Sequence, residues 1–140
     1  MFTAITILSS WGKLWKPLPG KRWTNTRRKH FTCLCPGIAG HAGLFSNAYE
    51  LAVLSQLLLN KGSINGINFF KPSTVDLFTA YSSSVSRRGL GFDKPEKDNS
   101  TRAEPYPAKS VSLETFGHTG FTGTCVWMDP VNNLTFIFLS

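Results

Sequence analysis

One stretch of the chain combines residues able to do chemistry with unusual spacing. Residues Glu114 to Pro130 read ETFGHTGFTGTCVWMDP. A single imidazole, His118, stands among two Thr-Gly pairs, Thr119-Gly120 and Thr122-Gly123, just before a run suited to a buried strand. Imidazole exchanges a proton near neutral pH, and a threonine hydroxyl both donates and accepts hydrogen bonds. Packed strands favour β-branched and aromatic residues, and glycine weakens them. Glycines here therefore mark a place where another strand or a ligand must approach the backbone closely. A second set, His30, Cys33, Cys35 and His41, could be drawn as a metal cluster. Its C-x-C spacing lacks the usual two-to-four-residue gap, and no further Cys or His pair completes a known pattern, so neither metal nor cofactor is expected. Cys33 and Cys35 are too close for an ordinary bridge and Cys125 falls in an expected strand, so there is no disulfide framework.

The chain has 140 residues, enough for one modest domain with its own core. Its net charge of +7 is unevenly placed. Residues 1–49 carry Lys13, Lys16, Lys21, Arg22, Arg27, Arg28 and Lys29 and no Asp or Glu, while the rest of the chain is balanced. No aromatic-rich binding sheet or recognition-helix pattern accompanies this basic stretch, so nucleic acid is not an expected partner. The apolar run Phe2 to Leu8 is too short to span a membrane and lacks the preceding positive charge of a signal peptide.

The elements that must position His118 begin after a change of texture. Residues 1–36 show no sustained period and read as an irregular basic segment outside the fold. From Gly37 the small-residue loop GIAGHAGLFS leads into a helix capped by Ser46 or Asn47, with Glu50 at capping-box spacing from Asn47. Ala48, Leu51, Ala52, Leu54, Leu58 and Leu59 give that helix a wide apolar face, and Asn60-Lys61-Gly62 stops it. Asn65-Gly66 centres a short hairpin. Pro72 opens a second helix to about Thr79, with Val75 and Phe78 facing in. Gly89 to Phe92 suits a short strand, and the polar, proline-bearing run from Asp93 to Ser112 a long surface loop. Residues 121–128 and 134–139 read as strands joined by a turn at Asp129 to Asn133. The last, Leu134 to Leu139, is apolar enough to be covered on both faces.

Three segments in this order, GHAGLFSNAYELAVLSQLLLNKG, then KPSTVDLF with RRGLGF, then FGHTGFTGTCVWMDPVNNLTFIFLS, resemble the serine β-lactamase, penicillin-binding-protein and related esterase superfamily on its class C-like side. The resemblance covers about residues 37–140. It implies an α+β fold, an antiparallel sheet flanked by helices, of which this chain holds the C-terminal, incomplete part. His118-Thr119-Gly120 stands where that family carries Lys-Thr-Gly on the strand lining its active site. The resemblance then implies roles: the Phe121 N–H as one oxyanion donor, Thr119 as a hydrogen-bonding partner of a substrate carboxylate or carbonyl, and His118 as a proton donor or a holder of its neighbours. Gly120 and Gly123 would keep the approach open.

That chemistry also needs a nucleophilic Ser and a Lys one helical turn later. Ser10-Trp11-Gly12-Lys13 matches the spacing, but chance supplies about one such match in a chain of this composition. Gly12, Pro17 and Pro19 also oppose a helix there. Tyr81-Ser82-Ser83 resembles the family's Tyr-x-Asn/Ser element in the wrong order along the chain. Both read as coincidence. The expectation is therefore a domain with its N-terminal half missing and residues 1–36 as a misjoined start. It would be inactive alone, or a substrate-binding module. Its parent would act on a small-molecule or peptidoglycan-like ester or amide, in the cell envelope or periplasm by resemblance. A parent with a family 3 glycoside hydrolase fused ahead of this domain is the other reading, although no sugar-cleaving carboxylate pair can be identified here.

Overall fold

The computed structural model describes residues 3–8 and 46–140. Apart from Ser46 they belong to one compact unit, Met1–Ser9 with Asn47–Ser140; the rest of the second unit, Ser10–Ser46, lies outside the described residues. The GIAGHAGLFS loop before Ser46, the basic run, the His30–Cys33–Cys35–His41 set and the Ser10–Lys13 pair all fall outside them too.

Helix α1, Ala48–Leu59, starts as its sequence dictates. The Asn47 side-chain Oδ1 accepts the Glu50 N–H at 3.0 Å, satisfying one of the donors a helix start leaves open. It ends in a Schellman turn: the Gly62 N–H reaches the Leu57 carbonyl at 2.8 Å and the Lys61 N–H the Leu58 carbonyl at 3.0 Å. The left-handed position after the cap is taken by Lys61, at φ 55°, with Gly62 following at φ 91°. Gly62 is required for space as well, since a Cβ there would stand 2.6 Å from the Phe70 carbonyl oxygen. The hairpin of β2, Ser63–Ile64, and β3, Ile67–Asn68, turns through Asn65 and Gly66, both at positive φ, as a two-residue primed turn demands. Helix α2 runs Pro72–Thr79.

The main sheet is antiparallel, in the order β1-β6-β5-β4. Strand β4 is Phe116–Thr119, β5 Cys125–Asp129 and β6 Leu134–Leu139. Strand β1, Thr3–Leu8, pairs along the whole of β6, from Thr3 opposite Leu139 to Leu8 opposite Leu134. Residues 3–8 thus depart from the irregular reading of the N-terminal segment. TAITIL is rich in β-branched residues, and an apolar strand such as β6 has a free edge to pair. Helix α1 packs against β6 and β5.

Ile137, Phe116, Met128, Val75, Trp127 and Ala48 form the buried core. Ile137, with no exposed surface, contributes about 1.5–3 kcal/mol of hydrophobic stabilisation. Several expectations shift in detail. On β6 only Thr135 and Ile137 are buried and their neighbours half-buried, so one face is covered more fully than the other. On α1 only Ala48 and Ser55 are buried, while Leu54 is 45% exposed. On α2 Val75 and Thr79 turn inward and Phe78 is 46% exposed. Residues 89–92 form no strand; the Gly89 N–H instead reaches the Phe92 carbonyl, and Asp93 alone bridges to Gly117. The expected strand over 121–128 starts only at Cys125.

Candidate functional site

Strand β4 lies at one end of the sheet, and its two sides are used differently. Along its inner side it pairs with β5, with His118 opposite Val126. On its outer side Gly117 exchanges both backbone bonds with Asp93: the Asp93 N–H to the Gly117 carbonyl at 2.7 Å, and the Gly117 N–H to the Asp93 carbonyl at 3.0 Å. Backbone groups alternate sides along an antiparallel strand. Gly117 points outward, so Thr119 points outward as well, and Gly120 points inward, where its N–H meets the Thr124 carbonyl at 2.6 Å. Phe121 follows in the turn beyond the strand. Its N–H has no acceptor among the described residues, and its side chain is fully exposed.

The glycines answer mostly to the neighbouring strand. A Cβ on Gly117 would overlap the Val126 carbonyl oxygen and stand 2.7 Å from Cε3 of Trp127. A Cβ on Gly120 would overlap the Thr124 hydroxyl. Phe121, Thr122 and Gly123 make a three-residue hairpin loop closed by the Gly123 N–H on the Gly120 carbonyl at 3.1 Å, with Gly123 left-handed at φ 89°. Gly123 serves the turn, and this loop occupies the residues expected to begin β5.

His118 is exposed and hydrogen-bonded at both ring nitrogens. Nδ1 lies 2.6 Å from the Thr119 carbonyl, which can only accept, so Nδ1 carries the hydrogen. Nε2 is then left to accept from Arg88 Nη1 at 3.5 Å. The consequence concerns the edge itself. Beyond the Asp93 bridge the outer side offers the Thr119 N–H, while the Thr119 carbonyl is already covered by His118; the turn that follows carries the Phe121 N–H. Two N–H groups without an acceptor among the described residues thus lie at and just beyond the end of β4, where a carbonyl oxygen could be received.

A buried polar frame fixes this edge from behind. The Asp93 carboxylate accepts from Arg87 Nε at 2.9 Å, Arg87 Nη2 at 3.2 Å and the Tyr106 hydroxyl at 2.9 Å. Burial alone would raise its pKa; the donors from Arg87 and Tyr106 outweigh that and hold it below the ordinary carboxylate value. Burial raises the Tyr106 phenol, its bond to Asp93 raises it further, and the Thr119 side chain works the other way. The Tyr106 ring meets Trp127 edge-on at 5.5 Å and lies 4.3 Å under the Arg87 guanidinium carbon. Lys94, 1% exposed, donates to the carbonyls of Thr79, Glu114 and Thr115 at 2.9, 3.3 and 3.2 Å, tying the end of α2 to the start of β4. Burial depresses its ammonium pKa, since the charged form loses water.

None of Arg88, Asp93, Lys94 or Tyr106 stood out in the sequence, where Asp93 to Ser112 read as surface loop; Asp93, Lys94, Pro95 and Asn99 are in fact buried. The only trace was a proline-interrupted run with paired charges. The hydroxyl of Tyr81 donates to the Pro95 carbonyl at 3.0 Å and its ring lies 4.7 Å from Lys94 Nζ, a packing role. Among the described residues no group of three His, Cys, Asp or Glu is placed to hold a metal ion, and no helix is long and apolar enough to cross a membrane.

Residues 7–140 match the family described as Beta-lactamase. Over 104 residues the chain is 40% identical to a "Putative D-alanyl-D-alanine carboxypeptidase" of Escherichia coli and 42% identical to an "N-acetylmuramyl-L-alanine amidase" of Bacillus subtilis. Each match takes in 74% of this chain and 23% of the relative, so the matched segment spans under a quarter of those proteins' length. A solved penicillin-binding-protein homologue from Caulobacter crescentus aligns over 64% of this chain and 24% of its own, at 23% identity and a TM-score of 0.48.

Proposed function

Because the chain belongs to the beta-lactamase family of serine hydrolase-like proteins, we propose that the outer edge of β4 is its substrate-binding edge. Thr119 and Phe121 carry the recognition and His118 supports it. The observation that carries this reading is the Phe121 N–H, just beyond the end of β4 and without an acceptor among the described residues. In the whole protein a serine hydroxyl would attack an ester or amide carbonyl, and the Phe121 N–H would stabilise the oxyanion that forms, a donor of the kind worth about 3–4 kcal/mol in related chemistry. Gly120 keeps Thr124 close and so fixes the direction of the next N–H. The names of the two relatives, one a D-alanyl-D-alanine carboxypeptidase and one an N-acetylmuramyl-L-alanine amidase, favour a peptidoglycan-like amide next to an alanine. On this reading the chain by itself binds such a group without being acylated.

The test is a titration of the ¹⁵N-labelled chain with N-acetyl-D-alanyl-D-alanine. The reading requires saturable shifts of the Thr119 and Phe121 amides, with the inward Gly120 amide moving less. Binding elsewhere, or none at millimolar peptide, would sink it. Incubation with benzylpenicillin followed by intact-mass measurement separates hydrolase from binding module: an adduct on Ser10, absent in Ser10→Ala, would restore the nucleophile to this chain.

A further inference from the structure

We propose that Tyr106 is a positioning residue: it takes the proton of the Thr119 hydroxyl and leaves that hydroxyl an acceptor, which selects a substrate carrying an amide N–H over the corresponding ester. This role rests on the reading of β4 as the substrate-binding strand. It follows from a chain of hydrogen bonds whose direction is fixed at the buried end. The Asp93 carboxylate, 2% exposed and held ionised by Arg87, can only accept. One of its oxygens lies 2.9 Å from the Tyr106 hydroxyl, so the phenol hydrogen points to Asp93. The Thr119 side chain hydrogen-bonds the same phenol. With the phenol hydrogen already committed, the phenol oxygen can only accept there, and Thr119 is the donor. A threonine hydroxyl has one hydrogen. Toward solvent, Thr119 Oγ1 therefore offers lone pairs alone.

Tyr106 is held firmly enough to impose this polarity. The Arg87 guanidinium carbon lies 4.3 Å from its ring centroid, and Trp127 meets the ring edge-on at 5.5 Å. Its backbone N–H donates to Asn99 Oδ1 at 2.7 Å, and Asn99, itself 2% exposed, donates to the Ala108 carbonyl at 2.9 Å. The strand brings Thr119 to the same place. Side chains two residues apart share a face, so Thr119 lies on the Gly117 face, where the Trp127 ring packs. Asp93 is tied to that strand through its backbone bonds to Gly117. Thr119 itself is exposed, so its lone pairs can be met from outside. This polarity is opposite to the one the family resemblance implies, a threonine paired with a carbonyl or carboxylate. A peptide N–H between two alanines pairs with such an acceptor. An ester oxygen in its place sets lone pairs against lone pairs. A site built around a substrate N–H discriminates against the analogue that lacks it, modestly here because water reaches the exposed hydroxyl.

The experiment compares N-acetyl-D-alanyl-D-alanine with N-acetyl-D-alanyl-D-lactate, in which an ester oxygen replaces that N–H and the terminal carboxylate is unchanged. Both are titrated into the ¹⁵N-labelled chain, followed at the Thr119 and Phe121 amides, in wild type, Tyr106→Phe, Thr119→Val and Thr119→Ser. Wild type should bind the amide roughly fivefold more tightly than the ester, the size of one net hydrogen bond. In Tyr106→Phe the Thr119 hydroxyl is free to turn its hydrogen outward, so the two ligands should bind alike. Thr119→Ser should keep the preference and Thr119→Val should lose it. Should Tyr106→Phe fail to fold, Thr119→Val decides, since it removes the hydroxyl without touching the Asp93 frame. Equal or tighter binding of the ester by wild type, or a preference that survives Tyr106→Phe or Thr119→Val, overturns the role of Tyr106 and leaves the substrate strand standing. If neither ligand moves the Thr119 and Phe121 amides, the substrate strand itself fails, and the role of Tyr106 with it.

Discussion

Asp129, at the end of β5, predicts how the β4–β6 region responds to acid. Its carboxylate collects five donors: the Ser112 N–H at 2.9 Å and hydroxyl at 2.7 Å, the Val131 and Asn132 N–H groups at 3.1 Å each, and the Asn132 side-chain amide at 2.8 Å. Together they close the turn into β6 and tie it to the loop that enters β4. Burial opposes the charge, but the donors from Ser112 and Asn132 prevail and bring the carboxyl from 3.8 to about 2. That difference couples protonation to unfolding by roughly 2 kcal/mol. Since the folded state holds the proton less tightly than the unfolded one, the stabilisation is complete above the unfolded value and fades as pH falls through about 2. Asp129→Asn removes the charge and turns an amide donor toward other donors. Urea unfolding of both chains, followed from pH 7 to pH 2, should show the wild type more stable at pH 7 by roughly 2 kcal/mol or more, with the gap narrowing steeply below about pH 4. Subtracting the two curves cancels every other carboxylate. A gap that stays constant down to pH 2 would refute the reasoning and reduce Asp129 to a neutral hydrogen-bond acceptor.

Two further perturbations bear on the same strands. Gly117→Ala forces a Cβ into the Val126 backbone and should cost about 1–3 kcal/mol or more, whereas Gly123→Ala meets open space and carries only the strain of φ 89°, about 1 kcal/mol; chemical denaturation that ranks them in the other order would contradict the close-packing account. Ile67, Phe69, Phe70, Leu77 and Phe78 are all exposed on and around β3 and α2, so the isolated chain should associate as its concentration rises. Light scattering that stays monomeric, with a cooperative melt well above ~45 °C, would count against this.

Which features could be read from sequence follows from how local their causes are. The Asn47 cap, the Asn65-Gly66 turn and the Pro72 start depend on neighbours a few residues away, and the structure shows each of them. The β6 run announces itself through unbroken apolarity. What escaped depends on distant partners. Thr3–Leu8 becomes a strand through β6, on the far side of the chain. Asp93 and Lys94 look like loop charges, and only three remote carbonyls, an arginine and a tyrosine make their burial tolerable. The site shows the same division. His118, Thr119 and Gly120 stood out by type and spacing, but Arg88 and Arg87 are indistinguishable until Asp93 claims one of them. The glycines pointed correctly to a close approach, and for Gly117 and Gly120 the approaching group is the β5 side of the hairpin.

Hydrogen exchange at single amides tests the central claim, that the Phe121 N–H beyond β4 is open to a substrate oxygen, most directly. In the free chain the Gly120 amide, bonded to Thr124, should exchange slowly and the Phe121 amide fast, and saturating N-acetyl-D-alanyl-D-alanine should slow Phe121 several-fold while leaving Gly120 unchanged. A Phe121 amide already protected without peptide, or one that peptide leaves as exposed as before, would contradict it.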